Sequence, residues 1–118
     1  MQRRGERLGD LIREEVSKIL LREVKDPRIG FVTVTRVTLS QDLRVARIYY
    51  SVYGDEKAKE ESALGLQSAK GFIRRELGKR VRVKYLPDIV FTFDDSMEYG
   101  ERISRILKGL KEDGEGTD

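Results

Sequence analysis

The chain has 118 residues, with 24 basic and 21 acidic side chains, a formal charge of +3, and neither cysteine nor histidine. That length suits one domain around one core. The missing residue types exclude disulfides, thiolate metal sites, cysteine nucleophiles and histidine acid–base chemistry. No apolar run approaches a membrane span, and MQRRGERLGD lacks the apolar stretch of a signal peptide, so a cytoplasmic protein with no membrane partner is expected. Charged residues make up 38% and asparagine is absent, a mix that fits a thermophile source.

Arg3 to Val24 reads as a long amphipathic helix, because Leu8, Leu11, Ile12, Val16, Ile19, Leu20 and Val24 recur at steps of three and four. Arg3, Arg4 and Arg7 open it, at the end where the helix dipole disfavours cations by a few tenths of a kcal/mol or so unless an anion is bound. Lys25-Asp26-Pro27-Arg28 stops the helix. Phe31 to Ser40 is rich in β-branched residues and reads as a strand. Val32 and Val34 have one parity, Val37 and Leu39 the other, and a bulge near Thr35-Arg36 would return both pairs to one face. After the short turn Ser40-Gln41-Asp42, Leu43 to Tyr53 returns as the second strand of an antiparallel hairpin. Ala46, Ile48, Tyr50 and Val52 form its buried face, and Val45, Arg47, Tyr49, Ser51 and Tyr53 lie on the other.

Gly54-Asp55 ends the hairpin and caps a second helix whose first turns carry acids. Gly71 falls inside the helical pattern, which predicts a kink or a close backbone approach at Lys70-Gly71, and Gly78 is expected to end the continuation. Val81, Val83 and Tyr85 then alternate with Arg80, Arg82 and Lys84 as a half-buried third strand. Pro87-Asp88 interrupts that strand before Ile89, Phe91 and Phe93 resume it. Asp94-Asp95-Ser96 caps a last helix through Leu110, with Tyr99, Ile103, Ile106, Leu107 and Leu110 as its apolar stripe. The expected order is α-β-β-α-(kink)-α-β-α, an α+β domain over residues 1–111 with helices mainly on one face of a three-stranded sheet. Residues 112–118 form a short acidic tail expected to be disordered.

Charge is concentrated between Ser68 and Leu86, where Lys70, Arg74, Arg75, Lys79, Arg80, Arg82 and Lys84 face one acid, Glu76. Seven positive less one negative is +6, so the rest of the chain sums to −3. A basic helix feeding a basic segment is an electrostatic footprint for a polyanion, and these seven residues are the expected phosphate contacts, with Arg3, Arg4 and Arg7 as auxiliaries. Arg28 and Arg36 are weaker candidates, since Asp26 can satisfy Arg28 internally, and Tyr49 and Tyr53 are candidates for base stacking. Two rival readings exist. Asp94-Asp95 with Asp88 could hold magnesium for hydrolysis, but adjacent carboxylates point apart and helix capping accounts for them better. The acidic face from Asp55 to Glu61, with the last helix, could instead dock basic proteins.

The ordered landmarks Asp26-Pro27-Arg28, Val34-Thr35-Arg36-Val37-Thr38-Leu39-Ser40, Asp42-Leu43, Ala46-Arg47-Ile48-Tyr49-Tyr50-Ser51, Ala69-Lys70-Gly71-Phe72-Ile73-Arg74-Arg75, Pro87 with Ile89-Val90-Phe91, and Asp94 resemble the bacterial ribosome-binding factor A family. The resemblance implies a type II KH-like domain in which a kink motif, here Ala69-Lys70-Gly71, replaces the GxxG loop by which other KH domains clamp a nucleic-acid backbone. It further implies a non-enzymatic assembly factor without cofactors. Such a factor binds the small (30S) ribosomal subunit and its 16S rRNA, and assists late maturation, including 5′-end processing and growth in the cold. A monomer is expected, with ribosomal proteins as further partners.

Overall fold

The structure, a computed structural model, describes residues 2–96 and 104–109, the side chains of Gln2 and Arg3 excepted. Helix α1 spans Gln2–Arg22, and its Ile12, Val16 and Ile19 are fully buried at the spacing the apolar pattern predicts. The Ile19 carbonyl accepts from both Glu23 and Val24, which closes the last turn. Asp26 then organises the connection: its carboxylate accepts from the Arg28 backbone N–H at 2.9 Å and from the Arg28 guanidinium at 3.1 and 2.7 Å. Those bonds hold the Asp26 carboxyl below its ordinary range, and they answer the expectation that Arg28 is satisfied internally.

Strand β1, Phe31–Leu39, pairs antiparallel with β2, Val45–Tyr53, and the register shifts between Val34 and Arg36. That is the bulge the parity change required, and it lets Val34 and Val37 both face the core side. In the connecting turn the Ser40 hydroxyl donates to Asp42 and accepts from the Arg44 and Val45 N–H groups. Leu43 adopts φ +61, a left-handed conformation unusual for a branched side chain. At the far end Gly54 has φ +151, and a Cβ there would stand 2.7 Å from Ala58, so only glycine fits the entry to the next helix.

Helix α2, Glu56–Arg80, begins with the Asp55 carboxylate accepting from Ala58 N–H, the expected cap. The segments predicted on either side of Lys70-Gly71 form one continuous element ending at Arg80, not Gly78, and a Cβ at Gly71 would meet nothing within 4 Å. The close backbone approach falls at Gly65 instead, where a Cβ would stand 2.6 Å from Ile29. As the long crossover that a parallel pair needs, α2 delivers β3, Asp88–Phe93, beside β2 in register from Val45↔Asp88 to Tyr50↔Phe93. The sheet order is β1-β2-β3.

One expectation is corrected by the fold. Residues 81–87 are not a strand; the third strand starts at Asp88. In this register β2 begins opposite Asp88, so the preceding residues lie beyond the end of the sheet with no ladder to join, and Pro87 has no N–H to offer one. Their alternation has a different cause: Val81 is buried and Val83 and Leu86 pack against the core, while Tyr85 remains 59% exposed.

Ile12, Val16 and Ile19 of α1, Leu66, Ile73 and Leu77 of α2, and Val34, Ala46, Ile48, Tyr50 and Ile89 of the sheet form one core. All the sheet residues in it share one face, so both helices cover that face, as expected of the α+β order. Asp94 follows β3 and caps the next turn by accepting from Ser96 N–H at 3.0 Å. Residues 104–109 are helical. The predicted stripe positions Tyr99, Ile103 and Leu110 and the tail 112–118 lie outside the described residues. Among the described residues no helix is long and apolar enough to cross a membrane.

Candidate nucleic-acid interface

The structure divides the seven cations of the basic stretch into three paired within the fold, three without a partner among the described residues, and Lys84, which lies over the Tyr85 ring. Arg74 turns along α2 and donates to the carbonyls of Pro87 and Leu86 at 3.0 and 2.8 Å, with Asp88 at 3.5 Å. Lys79 and Arg80 both pair with Glu76, at 2.8 and 3.1 Å, and these bonds lower the Glu76 carboxyl pKa, Lys79 contributing most. Arg80 also reaches Glu15 of α1 and Glu23 just beyond it at 3.8 and 3.5 Å. These three side chains serve the fold. Their charge is partly neutralised by neighbouring carboxylates and carbonyls.

Lys70, Arg75 and Arg82 form no hydrogen bond or ion pair among the described residues, so their charge stays available. At 3.6 residues per turn Arg74 and Arg75 stand about 100° apart, which is why neighbours in sequence receive opposite assignments. Lys70 is half-buried beside the part-buried Ala69, and Arg75 and Arg82 are exposed. In the predicted kink motif, then, Ala69 packs on the core, Lys70 carries the free charge and Gly71 is solvent-facing.

Two functional candidates, Arg44 and Tyr85, escape a reading confined to the cations of the basic stretch. Arg44, from the β1–β2 turn, sets its guanidinium 4.9 Å from the Tyr85 ring, and Lys84 approaches the same ring at 5.6 Å. Tyr85 thus becomes an exposed aromatic platform between two cations. The turn also meets the start of α1, since the position of a Cβ on Gly5 lies 3.7 Å from Leu43. That contact brings the first turn of α1, which carries no acid, to the same end of the molecule as Arg44 and Lys84. Arg4 and Arg7 are exposed there; the Arg3 side chain lies outside the described residues. A basic residue beside a turn, followed by an aromatic in an extended segment, was the available signal for Arg44 and Tyr85, but only the fold pairs them.

Several of the acids invoked by the rival readings have other partners. One Asp94 oxygen accepts from the Thr35 hydroxyl at 2.6 Å and the other from Ser96 N–H. Bonds to Ser96 and then Thr35 lower its pKa to about 2. Among the described residues no group of three acids is placed to hold a metal ion. On the acidic face Asp55 caps α2 and Glu56 pairs with Lys59, while Glu60 and Glu61 stay exposed.

Comparison with known proteins agrees with this architecture. The profile of the family described as "Ribosome-binding factor A" matches residues 4–107. The chain is 54% identical over 114 residues to ribosome-binding factor A of Halothermothrix orenii, covering 97% of this chain and 93% of that one. Its fold is similar to the crystal structure of ribosome-binding factor A from Thermus thermophilus, with a TM-score of 0.67 at 26% identity over 75% of this chain and 93% of that one. It is also similar, with a TM-score of 0.61 at 26% identity over 72% of this chain and 89% of the other, to Thermus thermophilus ribosome-binding factor A coordinates fitted into the cryo-EM map of a 30S complex.

Proposed function

The chain belongs to the ribosome-binding factor A family, and we propose that it binds the small ribosomal subunit by contacting the phosphates of its 16S rRNA. In that reading it acts as a cytoplasmic monomer that assists late maturation, including 5′-end processing and growth in the cold, by binding and not by catalysis. The observation that carries the reading is the set of cations left unpaired by the fold: Lys70, Arg75 and Arg82 on α2 and just beyond it. Arg4, Arg7, Arg44 and Lys84 gather as auxiliaries at the hairpin end. Such cations displace counterions from a phosphate backbone, giving affinity that depends on salt and little on sequence. In folded RNA the deep major groove excludes side chains, which leaves shape and backbone as the features to be read. The domain then wedges against immature rRNA, holds one conformation, and leaves as the subunit matures.

The test is binding to purified small subunits over a salt series. Lys70→Glu, Arg75→Glu and Arg82→Glu combined should weaken binding and reduce the slope of log K against log salt by about 2 to 3. Arg80→Glu is the contrast: it breaks contacts inside the fold and should lower stability. A folded triple variant that binds equally at every salt would refute the reading. Exposed Glu60 and Glu61 favour a second, compatible contact with basic ribosomal proteins; it requires binding that survives RNase and falls on reversal of those two charges.

A further inference from the structure

We propose that the face of the sheet turned away from α1 and α2 is a second RNA surface, one that takes an unpaired, splayed strand by base stacking. The proposal goes beyond the phosphate-contacting reading above and uses none of its residues.

The register builds this face. Phe31 stands opposite Tyr53, Thr33 opposite Ser51, Arg36 opposite Tyr49 and Thr38 opposite Arg47. On the other side Val90 and Thr92 of β3 lie beside Arg47 and Tyr49. Phe31 and Tyr53 are 79% and 85% exposed, although burying either ring would be strongly favourable. An exposed cross-strand aromatic pair on a sheet face is a feature that asks for an occupant.

The next layer is built as a platform. The Arg36 guanidinium lies 3.9 Å from the centre of the Tyr49 ring, with Asp94 at 3.9 Å, so a planar cation is held over an aromatic ring on an otherwise open face. Arg47 donates to the Thr92 hydroxyl at 3.0 Å, which fixes a second guanidinium across β2 and β3. Among the described residues the acids of this face are Asp94, buried and engaged by Thr35 and Ser96, and Asp88 at the start of β3, which lies 3.5 Å from Arg74. Both carboxylates already have partners, so the guanidinium groups of Arg36 and Arg47 leave the middle of the face complementary to an anion.

From Tyr53 to Arg47 the strand runs about 20 Å at roughly 3.4 Å per residue, enough to lay out a few nucleotides. Aromatic rings at one end, a stacked guanidinium in the middle and hydroxyls between them suit bases that are unstacked from one another. A duplex cannot use such a face, because its bases are already stacked. The occupant is therefore a single-stranded RNA segment.

The experiment measures binding of the full chain to oligoadenylate, oligouridylate and an RNA duplex at fixed salt and across a salt series. Phe31→Leu with Tyr53→Leu removes the rings but keeps apolar strand residues at exposed positions, so the fold is retained. The expected result is a loss of tenfold or more for oligoadenylate with an unchanged salt slope, no change for the duplex, and recovery in Phe31→Leu with Tyr53→Phe of part of the loss. Equal affinity of parent and double variant for both single strands overturns the proposal. So does sedimentation showing that the parent is a dimer which the double variant dissociates, because a second copy would then be the occupant. Since free oligonucleotides are used, these outcomes are separate from subunit binding through the basic face.

Discussion

The Arg74 guanidinium donates from Nε to the Pro87 carbonyl at 3.0 Å, and so ties the middle of α2 to the residue that precedes β3. With the companion bond to Leu86 it pins a segment that has no strand partner of its own. Arg74→Ala should therefore destabilise the domain by about 1–2 kcal/mol, the range for hydrogen bonds from a charged donor. Arg74→Lys should recover little, because an ammonium cannot reproduce the fork. Arg75→Glu, one residue on, should stay within about 0.5 kcal/mol of the parent. Urea unfolding of the three variants checks this, and equal midpoints for positions 74 and 75 would contradict the division of the cations.

Asp94 makes stability depend on acid. Its carboxyl is held at about 2, against an ordinary value of 3.8, by bonds to Ser96, then by the Thr35 hydroxyl. A carboxyl with a depressed folded-state pKa stabilises fully above its unfolded pKa, and the contribution is lost as pH falls from about 4 through about 2. The difference corresponds to about 2 kcal/mol at most. Asp94→Asn should be less stable than the parent at neutral pH and should show a flatter stability profile below about pH 4. Denaturant midpoints measured over that window decide it.

Two glycines of the same helix should respond in opposite directions. Gly65→Ala places a Cβ 2.6 Å from Ile29 Cγ1 and 3.4 Å from Arg28 Cβ. Overpacking of that kind outweighs the gain in helix propensity, for a net cost of about 1–2 kcal/mol. Gly71→Ala enters open space and should stabilise by about 0.5–1 kcal/mol. Thermal or urea unfolding of both variants tests the packing directly; loss of stability at position 71 would show that the backbone there needs glycine.

Much of the architecture was legible because it rests on local periodicity. The steps of three and four in α1, the parity change at Thr35 and the cap at Asp55 each report one residue's surroundings through its near neighbours. The segment from Val81 to Tyr85 misled for a related reason. Alternating burial is produced equally by a strand and by an extended stretch lying on a core, and only the register of β3 against Val45 separates them. Gly65 and Gly71 carry the same local signal, a glycine within a helical pattern, and only the packing of Ile29 against Gly65 tells them apart.

Read alone, the chain carries the quantity and sign of charge between Ser68 and Leu86, the helix and strand periods, and the family to which the ordered landmarks belong. Which of those charges are free follows only from the packing. Arg74 and Arg80 meet carbonyls and carboxylates that lie far along the chain or on another helix, and Arg44 meets Tyr85 across the end of the sheet. Pairing depends on distances of a few ångströms between residues remote in sequence, and no local pattern encodes those distances.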